Sequence, residues 1–147
     1  MGYTLKIGQA VKRYDNKRRM DQIDCEKVFL MEAPAFGELT DHTNVRMPSY
    51  STWEIFAEEV GLYNFFFDKE MGLLNGADGV FPLTQAHKEV IDAACAAYVE
   101  RYPFVFSVKA IDSLSEEDFH FERLRWLKFW TDWALTNCDT PIFMNEQ

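Results

Sequence analysis

The stretch RLRWLKFWTDWAL, residues 123–135, constrains the fold more than any other part of the chain, because it holds three of the four tryptophans. Set out at about 100° per residue from Leu124, positions Phe119, Trp126, Leu127, Trp130, Trp133, Ala134, Leu135 and Cys138 share one apolar arc about 200° wide. Arg125, Lys128 and Asp132 fall on the other side, which Phe121 and Phe129 interrupt. So wide an arc suits a helix enclosed by the rest of the protein. The spacing predicts a core helix capped by Ser113 or Ser115, with Glu116, Glu117 and Asp118 at the positive end of its dipole. A buried indole needs a partner for its N–H, so some tryptophans belong at the core margin. Trp130 and Phe129 could there extend into an aromatic contact patch.

One residue breaks the arc. Arg123 falls between Trp130 and Ala134, where an unpaired guanidinium would be very unfavourable. It must pair with a carboxylate, stack on an indole or reach outward to solvent. A structural salt bridge and an arginine lining a pocket for an anionic group both meet that demand.

A core helix needs elements to enclose it. YTLKIG alternates, with Tyr3, Leu5 and Ile7 on one side, as a half-buried strand does. EKVFLMEAP, residues 26–34, reads as a second strand, with a hairpin turn at Asp15-Asn16. Residues 33–50 show no period and read as a long irregular connection, a type that more often carries function than a short one. Ser51 and Glu54 fit a capping box for STWEIFAEEV, which Gly61 ends. LYNFFFDKEMGLL can form a short helix, and NGADG breaks the chain. Thr84 is a candidate N-cap for the helix up to Tyr102, FVFSV reads as a buried strand, and PIFM as an edge strand. The expected fold is α+β: one domain of 147 residues, an antiparallel sheet with an N-terminal hairpin, packed by three to four helices.

Composition narrows the function. Nothing approaches the roughly 18 apolar residues of a membrane span, and the start of the chain lacks the apolar stretch of a secretion signal. A cytoplasmic location is expected. Cys25, Cys95 and Cys138 are odd in number and lack a C-x-x-C, which argues for buried thiols rather than disulfides or zinc. The net charge of −9 argues against a general nucleic-acid binder. Residues 12–19, KRYDNKRR, carry five cations and one carboxylate; that local +4 leaves −13 on the rest. The basic cluster at the hairpin tip is the only place where nucleic acid could be held, although solvation and edge protection also explain it.

No motif specifies a reaction, a metal or a cofactor; Walker, G-x-G-x-x-G, G-x-S-x-G and H-E-x-x-H patterns are all missing. The irregular loop gathers Glu38, Asp41, His42, Asn44, Arg46, Ser49 and Tyr50. Asp41 beside His42 suggests an acid–base pair, but Asp-His-Thr-Asn is also ordinary turn chemistry. Asn44, Arg46 and Tyr50 are candidate hydrogen-bonding anchors for a partner. His87 reads as a core or boundary histidine, and His120, next to acidic residues, as solvent-exposed. The candidate binding set is therefore Asp41, His42, Asn44, Arg46, Tyr50, Arg123 and Trp130.

Two stretches, APAFGELTDHTNVRMPSYSTWEIF and RLRWLKFWTDWALTNCDTPIFMN, resemble a type of small protein encoded by tailed bacteriophages. The resemblance covers about a third of the chain and implies a phage or mobile-element origin without assigning any residue a role. The expected function is a non-enzymatic interaction protein, an accessory factor acting on a host component through a protein partner. One alternative is a small enzyme whose site joins the 33–50 loop to Arg123. Another is a self-assembling structural protein, a homo-oligomer with its basic tip on an acidic face.

Overall fold

The structure, a computed structural model, describes residues 2–35, 38, 40–75, 79–106 and 113–146. In chain order the elements are β1 (Thr4–Asp15), β2 (Met20–Cys25), β3 (Val45–Arg46), α1 (Tyr50–Glu59), α2 (Tyr63–Phe67), β4 (Gly79–Pro82), α3 (Gln85–Arg101), a 3₁₀ turn (Pro103–Phe106), α4 (Glu116–Asn137) and β5 (Pro141–Glu146). The α+β expectation holds: the strands form one antiparallel sheet in the order β2-β1-β5-β4, and β3 pairs with β1.

β1 organises this sheet by working twice. Its first half, Thr4–Gln9, pairs with β5, and its second half, Ala10–Asp15, pairs with β2. β3 joins the first half at Leu5 and Lys6. Alternation places Leu5 and Ile7 in the core under α4, together with Phe143 of β5. On the opposite face Ala10, Cys25, Ile142 and Met144 make a small second cluster. α4 lies between the sheet and α3. That position explains the wide apolar arc, because a helix covered on two sides needs apolar residues on both. Trp126 and Trp130 are fully buried, as is Trp53 of α1, while Trp133 is half-buried at the margin.

The helix starts follow local chemistry. Ser115 caps α4 and forms a box with Asp118. Thr84 precedes α3, and its N–H donates to His87 Nδ1 at 3.0 Å, so His87 serves as a half-buried cap. Gly61 takes φ +78 after α1, a conformation open to glycine and costly for other residues.

Several expectations need correction. The second hairpin strand is Met20–Cys25 rather than 26–34, where Phe29 makes an isolated bridge to Thr43. VFL has no alternation, and Phe29 is more than half exposed. The cap of α1 is Ser49, two residues ahead of Ser51, and its side chain accepts from Thr52 N. Residues 104–106 of the expected FVFSV strand belong to a 3₁₀ turn led by Pro103, and the strand's remainder lies outside the described residues. β5 is central rather than an edge. Pro141, its first residue, occupies the strand end, where a missing N–H is tolerated.

Candidate functional site

The irregular loop folds back onto α4 through interactions that its sequence left open. Thr40 and Thr43 exchange hydrogen bonds, with Thr43 Oγ1 donating to Thr40 O at 2.6 Å and Thr40 Oγ1 to Thr43 O at 3.0 Å. The turn between them holds Asp41 at φ +40 and His42 at φ +61, and Glu38 just ahead sits at φ +45. Each is left-handed backbone that a side chain disfavours. Thr43 O in turn accepts the indole N–H of Trp126 at 3.0 Å, tying loop to helix. Among the described residues, Trp126 finds such a partner, whereas the N–H groups of Trp53 and Trp130 find none.

Asn44 occupies the point where β2 leaves β1 and β3 begins. Its Oδ1 accepts from Val28 N at 2.8 Å, and its Nδ2 donates to Glu26 O at 2.8 Å and Ile7 O at 2.9 Å. An asparagine can copy one backbone unit, and here it fills a gap in the ladder.

Arg123 pairs with a carboxylate, and Glu38 is that carboxylate. Arg123 Nε donates to Glu38 Oε1 and Arg46 Nε to Glu38 Oε2, each at 2.6 Å. The Arg46 side chain is 2% exposed and lies over the Trp126 ring, 5.7 Å from its centroid. Arg123 Nη1 also lies 3.2 Å from His120 Nδ1. A guanidinium can only donate, so His120 accepts at Nδ1 and is neutral, with its proton on Nε2. Burial, then the charge of Arg123, holds the His120 pKa below its ordinary value. The expectation of a solvent-exposed His120 is therefore wrong: the ring is 5% exposed and stacks on Phe56.

The structure thus unites two of the seven candidate residues, Arg46 and Arg123, on a carboxylate outside that set. Asn44 and Trp130 are fully buried and offer no surface to a partner. Tyr50 packs its ring against Tyr3 in a tilted pair, with centroids 4.6 Å apart. Asp41 is exposed, and His42 Nδ1 donates to Ala33 O at 2.8 Å. His42 therefore spends its ring on the loop, and no contact joins Asp41 or His42 to Arg123. Glu38 and His120 lacked any sequence signal for their roles, because 85 residues separate Glu38 from Arg123.

A second region faces solvent. Beyond Gln9, the last β1 residue paired with β5, β1 and β2 continue as a two-stranded arm whose Asp15, Arg18 and Ile23 share a groove with Gly79 and Val80 of β4. Glu26 N donates to Gln9 O, and this register turns the backbone groups of Asp21 and Ile23 toward the open edge. Asp15 Oδ1 accepts from Lys17 N and Arg18 N to close the turn. Tyr14, Met20 and Ile23 are 60%, 54% and 52% exposed. Arg13 pairs with Asp24 at 2.7 Å, whereas Lys12, Lys17 and Arg19 have no ion pair among the described residues. Between arm and sheet runs a groove of about 420 Å³ lined by Arg13, Gln22, Ile23, Asp24, Met144 and Glu146.

Elsewhere, an apolar cleft of about 470 Å³ between α3 and α4 exposes Cys95, Ala96 and Val99. The cations at its rim are already neutralised, Lys128 by Asp92 and Asp132 and Arg125 by Glu122. The described residues hold no cluster of potential metal ligands and no helix long and apolar enough to cross a membrane. Comparison of the chain with family models, curated proteins and solved structures finds no match.

Proposed function

We propose that this chain is a non-enzymatic interaction protein, a phage accessory factor working in the host cytoplasm, and that the β1–β2 arm is the part that grips a host protein. The arm itself carries the reading. It exposes three large apolar side chains, an open strand edge and three cations without an ion pair among the described residues, all on one ribbon. In the loop, by contrast, Glu38, Thr40, His42, Thr43, Asn44 and Arg46 are spent on folding. Exposed apolar groups ringed by cations suit a partner surface that is apolar at its centre and acidic at its rim. A protein partner fits better than nucleic acid. Asp15, Asp21 and Asp24 cut the charge of the arm, residues 10–25, to +2, and the rest of the chain, at −11, would be repelled by phosphates.

The test places a photo-crosslinking residue at Ile23 in one variant and at Val90, an exposed position on α3, in another. Irradiation in host extract should give a discrete protein adduct from position 23, weakened by salt, and none from position 90. Adducts at both positions, or at neither, would remove the arm from the function. A nucleic-acid adduct at position 23 would replace the protein partner with an oligonucleotide.

A further inference from the structure

β2 is an outermost strand of the sheet, and two of its residues, Asp21 and Ile23, turn their N–H and C=O groups away from β1. We propose that this short edge takes an extended segment of the protein partner as an added antiparallel strand, with an apolar residue opposite Ile23 and an acidic one beside the turn. The inference rests on the reading that the arm grips a protein, and it names the way the grip is made.

The first argument is that the edge is bounded but not blunted. Cys25 N–H, the next group facing outward, is taken by Asp24 Oδ1 at 2.8 Å, so the open stretch stops there. Edge strands are commonly protected by lysine, proline or a bulge. MDQIDC holds no lysine or proline, and its register with β1 runs without a break. The strand at the other end of the sheet does carry such a device. Leu83 N bonds to Pro141 O, so Pro82 removes an N–H from the outward side of β4.

The second argument is the pattern along the edge. Ile23 is 52% exposed and borders the grooves that lead from the arm to Met144 and to Val80. An apolar side chain directly opposite would cover it. Four residues further on, an antiparallel strand reaches the level of Arg19. Lys17 and Arg19 have no ion pair among the described residues, and Arg18 meets Asp15 only at 3.9 Å. An acidic side chain at that level therefore has cations to meet.

The probe is a capped hexapeptide, Thr-Val-Thr-Thr-Thr-Glu, whose valine lies opposite Ile23 and whose glutamate lies opposite Arg19. Saturating it should slow amide exchange at Asp21 and Ile23 at least about tenfold. Methylating the valine nitrogen removes the donor to Ile23 C=O and should weaken binding at least about tenfold. Methylating the next nitrogen, which points away from β2, should change it less than about twofold. Ile23→Pro removes an edge N–H but no bond to β1, and should weaken binding as much as the methylated valine does. Equal binding of the two methylated peptides, protection at Val80 in place of Asp21 and Ile23, or no binding of the parent peptide overturns the added strand. A photo-crosslinker at Tyr14 in host extract separates the strand from the grip. An adduct that Ile23→Pro abolishes, with Gln22 still protected by β1, supports the strand. One that persists overturns the strand and leaves the arm as the grip, and no adduct from either protein overturns both. If Ile23→Pro loses the protection of Gln22, the methylated peptides on the wild-type protein decide.

Discussion

The loop–α4 junction and the β1–β2 arm are built from similar materials and use them in opposite ways. Both are rich in arginine, and both hold a charged residue in left-handed backbone: Glu38 at φ +45 in the junction and Arg19 at φ +53 in the arm. In the junction Glu38, Arg46 and Arg123 turn inward, and Arg46 lies almost wholly enclosed between Glu38 and Trp126. In the arm the charges turn outward, and Arg13 and Arg18 remain more than 60% exposed even where a carboxylate is near. The same interaction is therefore worth different amounts in the two places. Water screens the arm's pairs to a fraction of a kcal/mol, whereas the junction's pairs are held where an unpaired charge costs several.

The largest break in this comparison comes from Arg46→Ala. It leaves a hole beside Trp126 and strips Glu38 of one partner, and should destabilise the protein by about 3–5 kcal/mol in urea unfolding. Arg18→Ala, the matching change in the arm, should shift the same midpoint by less than about 0.5 kcal/mol. Similar losses from the two would dissolve the contrast. Glu38→Gly comes next. Its relieved backbone recovers about 1 kcal/mol, but two guanidiniums then face each other without their carboxylate. A net loss of about 2 kcal/mol is expected in low-salt buffer free of phosphate.

How much of this was legible in the sequence depends on the reach of each interaction. The core helix could be read from its own tryptophans, and Ser115 and Thr84 announced their helices within a few residues. Arg123 could be seen to need a carboxylate, because its place on the wheel stated the problem. Which carboxylate could not be seen, since loop closure rather than periodicity brings Glu38 across 85 positions. The centrality of β5 was hidden for the same reason: nothing in PIFMNE says that β1 and β4 flank it. His120 misled because its neighbours in sequence are acidic, whereas its neighbours in space are Phe56 and Arg123.

Acid should sharpen the comparison further, with a smaller effect. Folded His120 is neutral with its pKa lowered below 6.5, so below that pH the unfolded chain binds a proton that the folded one resists. Stability from this residue is whole above 6.5 and falls as pH drops toward the folded value. His87, also lowered by burial, adds to the same window, while Asp24 and Asp92, lowered from 3.8, act only at more acidic pH. His120→Gln keeps an acceptor for Arg123 without a proton to gain. Its unfolding midpoint should fall less than that of wild type between about pH 7.5 and about pH 5. An unchanged slope would place the acid sensitivity outside the junction.

The smallest effect is the most discriminating, because it should reverse sign. Arg19→Gly makes the same kind of change as Glu38→Gly: a charged residue in left-handed backbone becomes glycine. Arg19 has no ion pair among the described residues and is exposed, so little is lost in the folded state. Glycine relieves the positive φ and gives back part of that gain as unfolded-chain entropy, leaving a stabilisation of about 0.5 kcal/mol. An arm shaped for stability alone would then be improved by losing this arginine. An arm that grips an acidic partner would be weakened, with the salt dependence of its crosslinking at position 23 reduced in step. Stability and binding should therefore move in opposite directions at Arg19. A destabilised Arg19→Gly protein would mean that the arm, like the junction, holds its charges for folding.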